Sequence, residues 1–306
     1  MIFNKMLGTL SNLFYRRPLV LRFVLLSGPL AWIVIVYIGA LAALLLQSFY
    51  HLDDFSGIVV HEFTLTTYAQ LADISNLHII LRTVTMAAAV TLVAAVVAFP
   101  IAYYAARFAH GKWKPIFYLA VMMPLWSSYL VKIYAWKLIL AKEGILNFIF
   151  SALHVRWLLD ALLGLPVIGG SSLSFSYIGT FLVFLYIWLP YMILPIQAAL
   201  ERVPNDYVEA AADLGATPRQ AFRDVILPLS LPGLIAGSIF TFSLTLGDYI
   251  VPQIVGNSRA MIGQAVYTLQ GTAGDIPLAA AFTMVPMIIM LGYLLMAKRL
   301  GAFDAL

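Results

Sequence analysis

The sequence has no cysteine. That excludes disulfides, thiol chemistry and any cysteine-ligated metal. The five histidines (His51, His61, His78, His110 and His154) are scattered, with no two at close ligand spacing, so no metal site is expected. Charge is scarce too. The 18 Lys and Arg and 14 Asp and Glu make up 10% of the chain, where soluble domains carry about a quarter. No G-x-x-x-x-G-K-[ST] phosphate loop occurs, so the chain is not expected to bind a nucleotide itself. No internal repeat or soluble domain is visible. Apolar residues take the place of what is missing: 62% of the chain is hydrophobic and the mean hydropathy is +0.94. This is the composition of an integral membrane protein. The net charge of +4 is then no sign of a nucleic-acid partner, because the placement of basic residues matters more than their sum.

Six apolar runs are long enough to cross a hydrocarbon core about 30 Å thick. They cover residues 23–46, 79–104, 115–138, 177–200, 231–250 and 276–297. The expected fold is therefore an all-α integral membrane protein with six transmembrane helices. Residues 1–22, with Lys5, Arg16, Arg17 and Arg22, are expected to form a cytoplasmic N-terminal segment. The first run is too long for a signal-peptide core, and no small-residue cleavage site follows it. A transmembrane domain spans 23–299, and 300–306 form a cytoplasmic tail. Residues 47–77 make a polar loop without Lys or Arg, and 105–114 a basic turn. In 141–174 the stretch WLLDALLGLPVIGG is too short to span, and a short helix is expected over 260–269. Pro100, Pro190 and Pro195 fall inside spans and are expected kinks.

Six spans put both ends of the chain on one side. The N-terminal segment, the 105–114 turn, the 201–233 stretch and the C-terminal end hold 4, 3, 3 and 2 basic residues, twelve together. The opposite loops hold three, Lys142, Arg156 and Arg259. The positive-inside rule thus places both termini and the 201–233 stretch in the cytoplasm.

That stretch, ERVPNDYVEAAADLGATPRQAFRDVILPLSLPG, is the longest polar interruption of the second half and carries eight of the thirty-two charged residues. It reads as two short helices joined by a sharp turn. Asp206 and Glu209 form a capping pair at the first start. Tyr207–Leu214 is rich in alanine, the best helix former. Gly215 suits a left-handed C-terminal cap. Thr217, Pro218 and Gln220 restart a helix with a capping box. Pro228 and Pro232 are expected to end the unit. So polar a hairpin cannot cross a bilayer, but is suited to be held by a cytoplasmic partner.

Glu209-Ala210-Ala211, Gly215-Ala216, Phe222, Val225, Leu227 and Pro228 together resemble the EAA motif of ABC importer permeases. The resemblance implies that the hairpin is a coupling helix docking into a groove of a cytoplasmic ATPase dimer, which holds the ATP and Mg. It implies roles in that contact for Glu209, Ala210, Ala211 and Gly215, with Arg219 and Arg223 adding charge contacts. The alternative for the arginines is positive-inside anchoring, and for the hairpin an ordinary interfacial one. It also implies a second homologous permease subunit, a periplasmic substrate-binding protein, and residence in the bacterial inner membrane with no catalytic residues in this chain.

Pro124–Trp136, Glu143–Asn147 and Leu246–Gly256, with Phe63–Tyr68 and Leu81–Val84, are similar to the corresponding segments of spermidine/putrescine permeases. Lys132, where that family more often has arginine, and the extended N-terminus depart from the pattern. The implied cargo is a small cationic solute, a polyamine. The alternatives are an amino-acid derivative, an opine or a thiamine-like cation.

Asp248 lies sixteen residues beyond Pro232, about 24 Å along a helix, inside the outer part of the bilayer core. A carboxylate at such depth is a functional candidate by default. Tyr249, Trp126 and Tyr134 are candidate aromatic partners for a cation on the translocation path. The alternative is that Asp248 caps a helix or pairs with Arg82 or Lys132. Lys132 and Lys137 are expected to snorkel, and Arg82 to anchor a span end. A secondary transporter would carry repeats and several intramembrane carboxylates. A membrane enzyme would cluster reactive side chains. The sequence has neither feature.

Overall fold

The computed structural model describes residues 18–53, 55–166, 168–257 and 259–299. Most of the expected N-terminal segment 1–22 and the whole tail 300–306 lie outside the described residues. Helix α1 runs from Pro18–Trp32 through a π-helical stretch, Ile33–Ile38, into Gly39–Gln47. A two-stranded antiparallel ribbon follows, β1 (His51–Leu52) with β2 (Val59–Val60), pairing His51 with Val60. At its tip Ser56 donates its hydroxyl to Asp53 (2.6 Å) and holds that carboxyl below its ordinary range. Then come α2 (Thr66–Leu71), α3 (Ile74–Arg107), α4 (Trp113–Trp126), α5 (Tyr129–Ile139), α6 (Ile145–Ala152) and α7 (Arg156–Leu163). Helix α8 (Tyr177–Glu201) and α9 (Asn205–Asp213) precede α10, which runs unbroken over Pro218–Gly247. The chain closes with α11 (Ile250–Ile254), α12 (Ile262–Thr268, continued as a π turn Leu269–Ala273) and α13 (Ile276–Arg299).

Among the described residues, five helices are long and apolar enough to cross a membrane: Leu25–Gln47 of α1, α3, α8, α10 and α13. The third expected span, 115–138, is not one rod. Its two halves, α4 and α5, meet at 94°. The break falls at Ser127 and Ser128, whose backbones are extended (ψ 150° and 133°). Pro124 sits in the last turn of α4, and its carbonyl accepts from Ser127 Oγ (2.9 Å) and from Lys132 Nζ (2.8 Å). Side chains thus satisfy a backbone group that the bend releases, as irregular backbone within a membrane protein requires. Lys132 spans the bend instead of snorkelling.

The fifth span also departs from expectation. It begins at Pro218, not near residue 231, so the second helix of the polar hairpin and the span are one rod of 30 residues. Pro228 and Pro232 do not end it. The ring of Pro228 would press on the carbonyl of Asp224, four residues back. A π-helical stretch at Phe222–Ile226 covers that position, and its wider turn relieves the clash.

The centre of the bundle is α3, α8 and α10. Small residues on one face of α3, among them Ala87, Ala94, Ala98 and Ala102, are completely buried and let the backbones approach closely. Helix α10 meets α8 through Gly233 and Gly237. A Cβ at Gly233 would lie 2.5 Å from Ala199 Cβ, and one at Gly237 2.8 Å from Met192 Sδ. The spacing is that of a small-xxx-small packing motif. Pro100, Pro190 and Pro195 lie inside α3 and α8, both of which continue through them.

Candidate functional site

The polar hairpin is built by local rules. Helix α9 starts at Asn205 with Pro204 as N-cap and no side-chain cap. The expected Asp206–Glu209 capping pair is therefore absent; Asp206 lies one residue inside, where its charge meets the helix N-terminus. At the other end Gly215 has φ 84°. Its amide donates to Ala212 O (2.9 Å) and the Ala216 amide to Ala211 O (3.0 Å). This is a Schellman cap, which needs a residue comfortable at positive φ. Thr217 and Gln220 then form the expected capping box. Gln220 Oε1 accepts from Thr217 N (2.8 Å), Thr217 Oγ1 from Gln220 N (3.4 Å), and Pro218 sits in the first turn.

One face of the hairpin packs on the end of α3. Phe222 stands edge-on to Phe99 (5.7 Å) and Tyr103 (5.8 Å), and Ala221 and Ile226 are buried. The other face is open. Glu209, Ala210, Gly215, Arg219 and Arg223 are exposed, and Ala211 is half-buried. Arg223 pairs with the adjacent Asp224 (3.4 Å). At the tip Leu214 is 90% exposed, a large apolar side chain standing free beside the glycine turn. It was not among the expected contact residues, although its place just before the cap glycine marks it as the tip.

Behind the hairpin, Glu201 at the end of α8 pairs with Lys114 (3.0 Å) and accepts from the Tyr118 hydroxyl (2.8 Å). Arg107, the last residue of α3, donates from Nη1 to Asn205 Oδ1 on α9. The first set ties α4 to the end of α8 and the second ties α3 to the hairpin, both across long sequence separations that no local pattern signals.

The second candidate region begins where α10 ends. Asp248 caps α11, accepting at Oδ1 from the amides of Ile250 (2.8 Å) and Val251 (3.1 Å), and at Oδ2 from the Tyr129 hydroxyl on α5. It pairs with neither Arg82 nor Lys132. Arg82 donates to Ala260 O (3.0 Å) and Lys132 to Pro124 O. Tyr249 stacks on Tyr267 (5.1 Å, 10° between planes). Trp126 and Tyr134 are 74% and 53% exposed, and neither hydrogen-bonds to Asp248. The aromatic residue that does reach it is Tyr129, whose ring stacks on Trp188 at 5.9 Å.

Segment 248–262 is tied down on several sides. Thr180 Oγ1 donates to Val255 O (2.9 Å), Gly256 N to Ser174 O (3.0 Å), and Ile262 N to the buried Thr83 Oγ1 (2.9 Å). At Gly263 a Cβ would lie 2.8 Å from the Asp248 carbonyl, so α12 packs directly on the break in the backbone. No group of three or more His, Asp or Glu that could hold a metal occurs among the described residues.

Residues 94–300 match the family described as binding-protein-dependent transport system inner membrane component. The inner membrane ABC transporter permease protein YdcU of Escherichia coli (strain K12) is 56% identical, covering 98% of this chain and 96% of its own length. The spermidine/putrescine transport system permease protein PotB of the same organism is 29% identical, covering 87% of this chain and 92% of its own. A crystal structure of a bacterial ABC transporter involved in the import of the acidic polysaccharide alginate contains a chain of the same fold. Its TM-score is 0.67 at 16% identity, over 95% of this chain and 99% of that one. The alginate transporter in complex with its loaded periplasmic protein gives a TM-score of 0.70 at 15% identity, over 94% and 95%.

Proposed function

The chain belongs to the family of binding-protein-dependent transport system inner membrane components, and from that premise we propose that it carries a polyamine, spermidine or putrescine, across the inner membrane. It is a multi-pass permease subunit of an ABC importer. Its partners, in this reading, are two ATPase subunits, a second permease and a periplasmic binding protein. The ATPase binds ATP and Mg, and this chain is not an enzyme.

The observation that carries the coupling role is the single rod α10. It starts in the exposed hairpin at Pro218 and ends at Gly247, next to Asp248. Thirty residues at about 1.5 Å each span roughly 45 Å. A push on the hairpin by a closing ATPase pair therefore moves the far end of the same helix. Leu214, with Tyr207 and Ala210 around it, supplies an apolar knob for a groove; Glu209, Arg219 and Arg223 supply charge at its rim. ATP binding draws the paired hairpins together and turns the cavity outward, and hydrolysis resets it. The N-terminal rod α1, whose apolar span is 0% buried, leaves a face open to lipid or to the second permease.

Two observations support a polyamine. A relative covering most of the chain bears that name, and a carboxylate bonded to Tyr129, whose ring stacks on Trp188, stands at the end of α10, where an ammonium group gains charge and cation–π attraction. An amino-acid derivative, an opine or a thiamine-like cation is the second reading, because a cation site of this kind does not by itself select chain length.

The test is uptake of labelled putrescine and spermidine into vesicles holding the chain with its copurifying partners, with and without ATP and with Leu214→Asp. ATP-dependent uptake that the variant abolishes is the expected result. ATP hydrolysis unaccompanied by polyamine uptake would retain the importer and discard the cargo. Uptake indifferent to ATP and to Leu214→Asp would overturn the coupling role.

A further inference from the structure

The ends of α3 and α8, the start of α4 and the first residue of α9 line a polar cavity of about 260 Å³. A single water needs only about 10–15 Å³ of such space, so the cavity admits a much larger polar group. Its charged lining is Arg107, Lys114 and Glu201, with Asn205 beside them. Glu201 is already engaged: Lys114 pairs with it, and Tyr118 and Gln197 donate to it. Arg107 is engaged on one side only. Its Nη1 donates to Asn205 Oδ1, while Nε and Nη2 are buried with no hydrogen-bond partner among the described residues. Buried guanidinium donors left unpaired cost the desolvation of a charged group. The ligand that removes this cost is an anion with paired oxygens, because the guanidinium is a fork of parallel donors. The cavity also sits at headgroup depth. Arg107 ends an apolar span. Around it Tyr104 and Phe108 stack on each other at 6.0 Å and Trp113 is 73% exposed, the aromatic belt expected where a span leaves the hydrocarbon.

We propose that this cavity binds the phosphate of an anionic phospholipid headgroup, held by the unpaired N–H groups of Arg107 and by Lys114. Phosphodiester oxygens match the guanidinium fork, and the Lys114 ammonium has three donors to divide between Glu201 and a ligand. Glu201 offsets one of the two cations on the wall. The single positive charge that remains suits a singly charged phosphodiester better than a doubly charged free phosphate. Lys112 and His110 of the same turn add to the attraction near an acidic surface, and basic pockets between span ends are of the kind that hold acidic headgroups. A lipid seated there touches α3, α4 and α9 at once, so it braces the hairpin against the bundle. The inference depends neither on the cargo nor on an ATPase.

The experiment uses the full chain, purified and delipidated in a neutral detergent. Native mass spectrometry reads the binding of phosphatidylglycerol, of phosphatidylcholine with the same acyl chains, and of inorganic phosphate. The unaltered chain is expected to bind phosphatidylglycerol at least about tenfold more tightly than phosphatidylcholine, whose ammonium cancels the headgroup charge. Arg107→Gln is expected to weaken phosphatidylglycerol at least about thirtyfold, the loss that follows when one side of a hydrogen-bonded charge pair is truncated. Lys112 is exposed on the same turn and does not line the cavity. Lys112→Gln is expected to cost no more than about fivefold, the worth of one cation near an acidic surface. Equal losses in the two variants would mean diffuse surface charge and overturn the site, as would equal binding of the two lipids. Inorganic phosphate bound as tightly as phosphatidylglycerol would assign the cavity to a free anion and overturn the lipid. Because Arg107→Gln also breaks the tie to Asn205, the unaltered chain supplies a second measurement. Phosphatidylglycerol with a photoreactive group on its headgroup glycerol, reconstituted in vesicles with the chain, is expected to crosslink within residues 105–114 or 200–205. Crosslinks confined to other segments would overturn the proposal whatever the variants do.

Discussion

At the scale of single residues, Asp248 carries the sharpest test. Its carboxylate accepts three hydrogen bonds, two from backbone amides of α11 and one from Tyr129. A capping role depends on acceptor geometry, whereas a cation site depends on charge. Asp248→Asn keeps an acceptor oxygen and removes the charge; Asp248→Ala removes both. The alanine variant is expected to lose about 1–3 kcal/mol of stability, the cost of leaving buried donors unpaired, and the asparagine variant well under half of that. Thermal unfolding of the purified protein reads this directly. If Asp248→Asn keeps its unfolding midpoint yet abolishes polyamine uptake, the charge is serving the cargo. Equal destabilisation by both substitutions would mean that the negative charge itself holds segment 248–262. Gly215 is a second residue with a defined cost. At φ 84° any L side chain is strained by about 1 kcal/mol or more, so Gly215→Val is expected to lower ATPase copurification by loosening the hairpin tip while leaving the membrane core intact. Unchanged copurification would mean that the turn geometry is irrelevant to docking.

At the scale of elements, the contact of α8 with α10 depends on the absence of side chains at Gly233 and Gly237. A Cβ at either would enter atoms of α8, at Gly233 the Pro195 carbonyl among them. Backbone cannot move aside as a flexible side chain can. Gly233→Val is expected to destabilise the protein by about 1–3 kcal/mol, the usual range for overpacking, seen as a lower unfolding midpoint and lower membrane yield. Substituting Gly271, where an added Cβ would meet nothing within 4 Å, is the control and should be neutral by the same measures. If Gly233→Val and Gly271→Val behave alike, the close approach of α8 and α10 contributes little to stability.

At the scale of the whole molecule, the distribution of basic residues predicts an orientation, and the missing cysteines make it easy to test. A single cysteine introduced into a cysteine-free chain is the only thiol present. Leu214→Cys at the hairpin tip and Phe55→Cys at the tip of the β1–β2 ribbon are both highly exposed positions. A membrane-impermeant maleimide is expected to label Phe55→Cys in right-side-out vesicles and Leu214→Cys only in inverted ones. The opposite pattern would reverse the topology and take the hairpin out of reach of any cytoplasmic ATPase. The rod α10 gives the orientation its mechanical meaning, because one continuous helix runs from the hairpin to the Asp248 end.

Much of this was legible in the sequence, for identifiable reasons. Hydropathy found the apolar rods because burial in lipid is set by composition over some twenty residues, a local property. The Schellman glycine at Gly215 and the Thr217–Gln220 box were readable because cap chemistry involves residues within a few positions of each other. The Gly233 and Gly237 spacing stood in the sequence as well, but its meaning depended on which helix lay opposite.

Other features only the tertiary structure could decide. The bend at Ser127 and Ser128 lies inside an apolar run that hydropathy averages over, and it exists because Lys132 and Ser127 satisfy the freed carbonyl of Pro124. The continuity of the hairpin with the fifth span depends on a π turn that no proline rule anticipates. Tyr129 meets Asp248 across 119 positions, Arg107 meets Asn205 across 98 and Arg82 meets Ala260 across 178. The sequence by itself determined what must lie in the membrane and where its polar hairpin turns, since those follow from local solvation and local hydrogen bonding. Which side chains hold the hairpin and the Asp248 segment to the bundle was decided by packing, because a hydrogen bond between distant residues forms only where the helices between them bring donor and acceptor together.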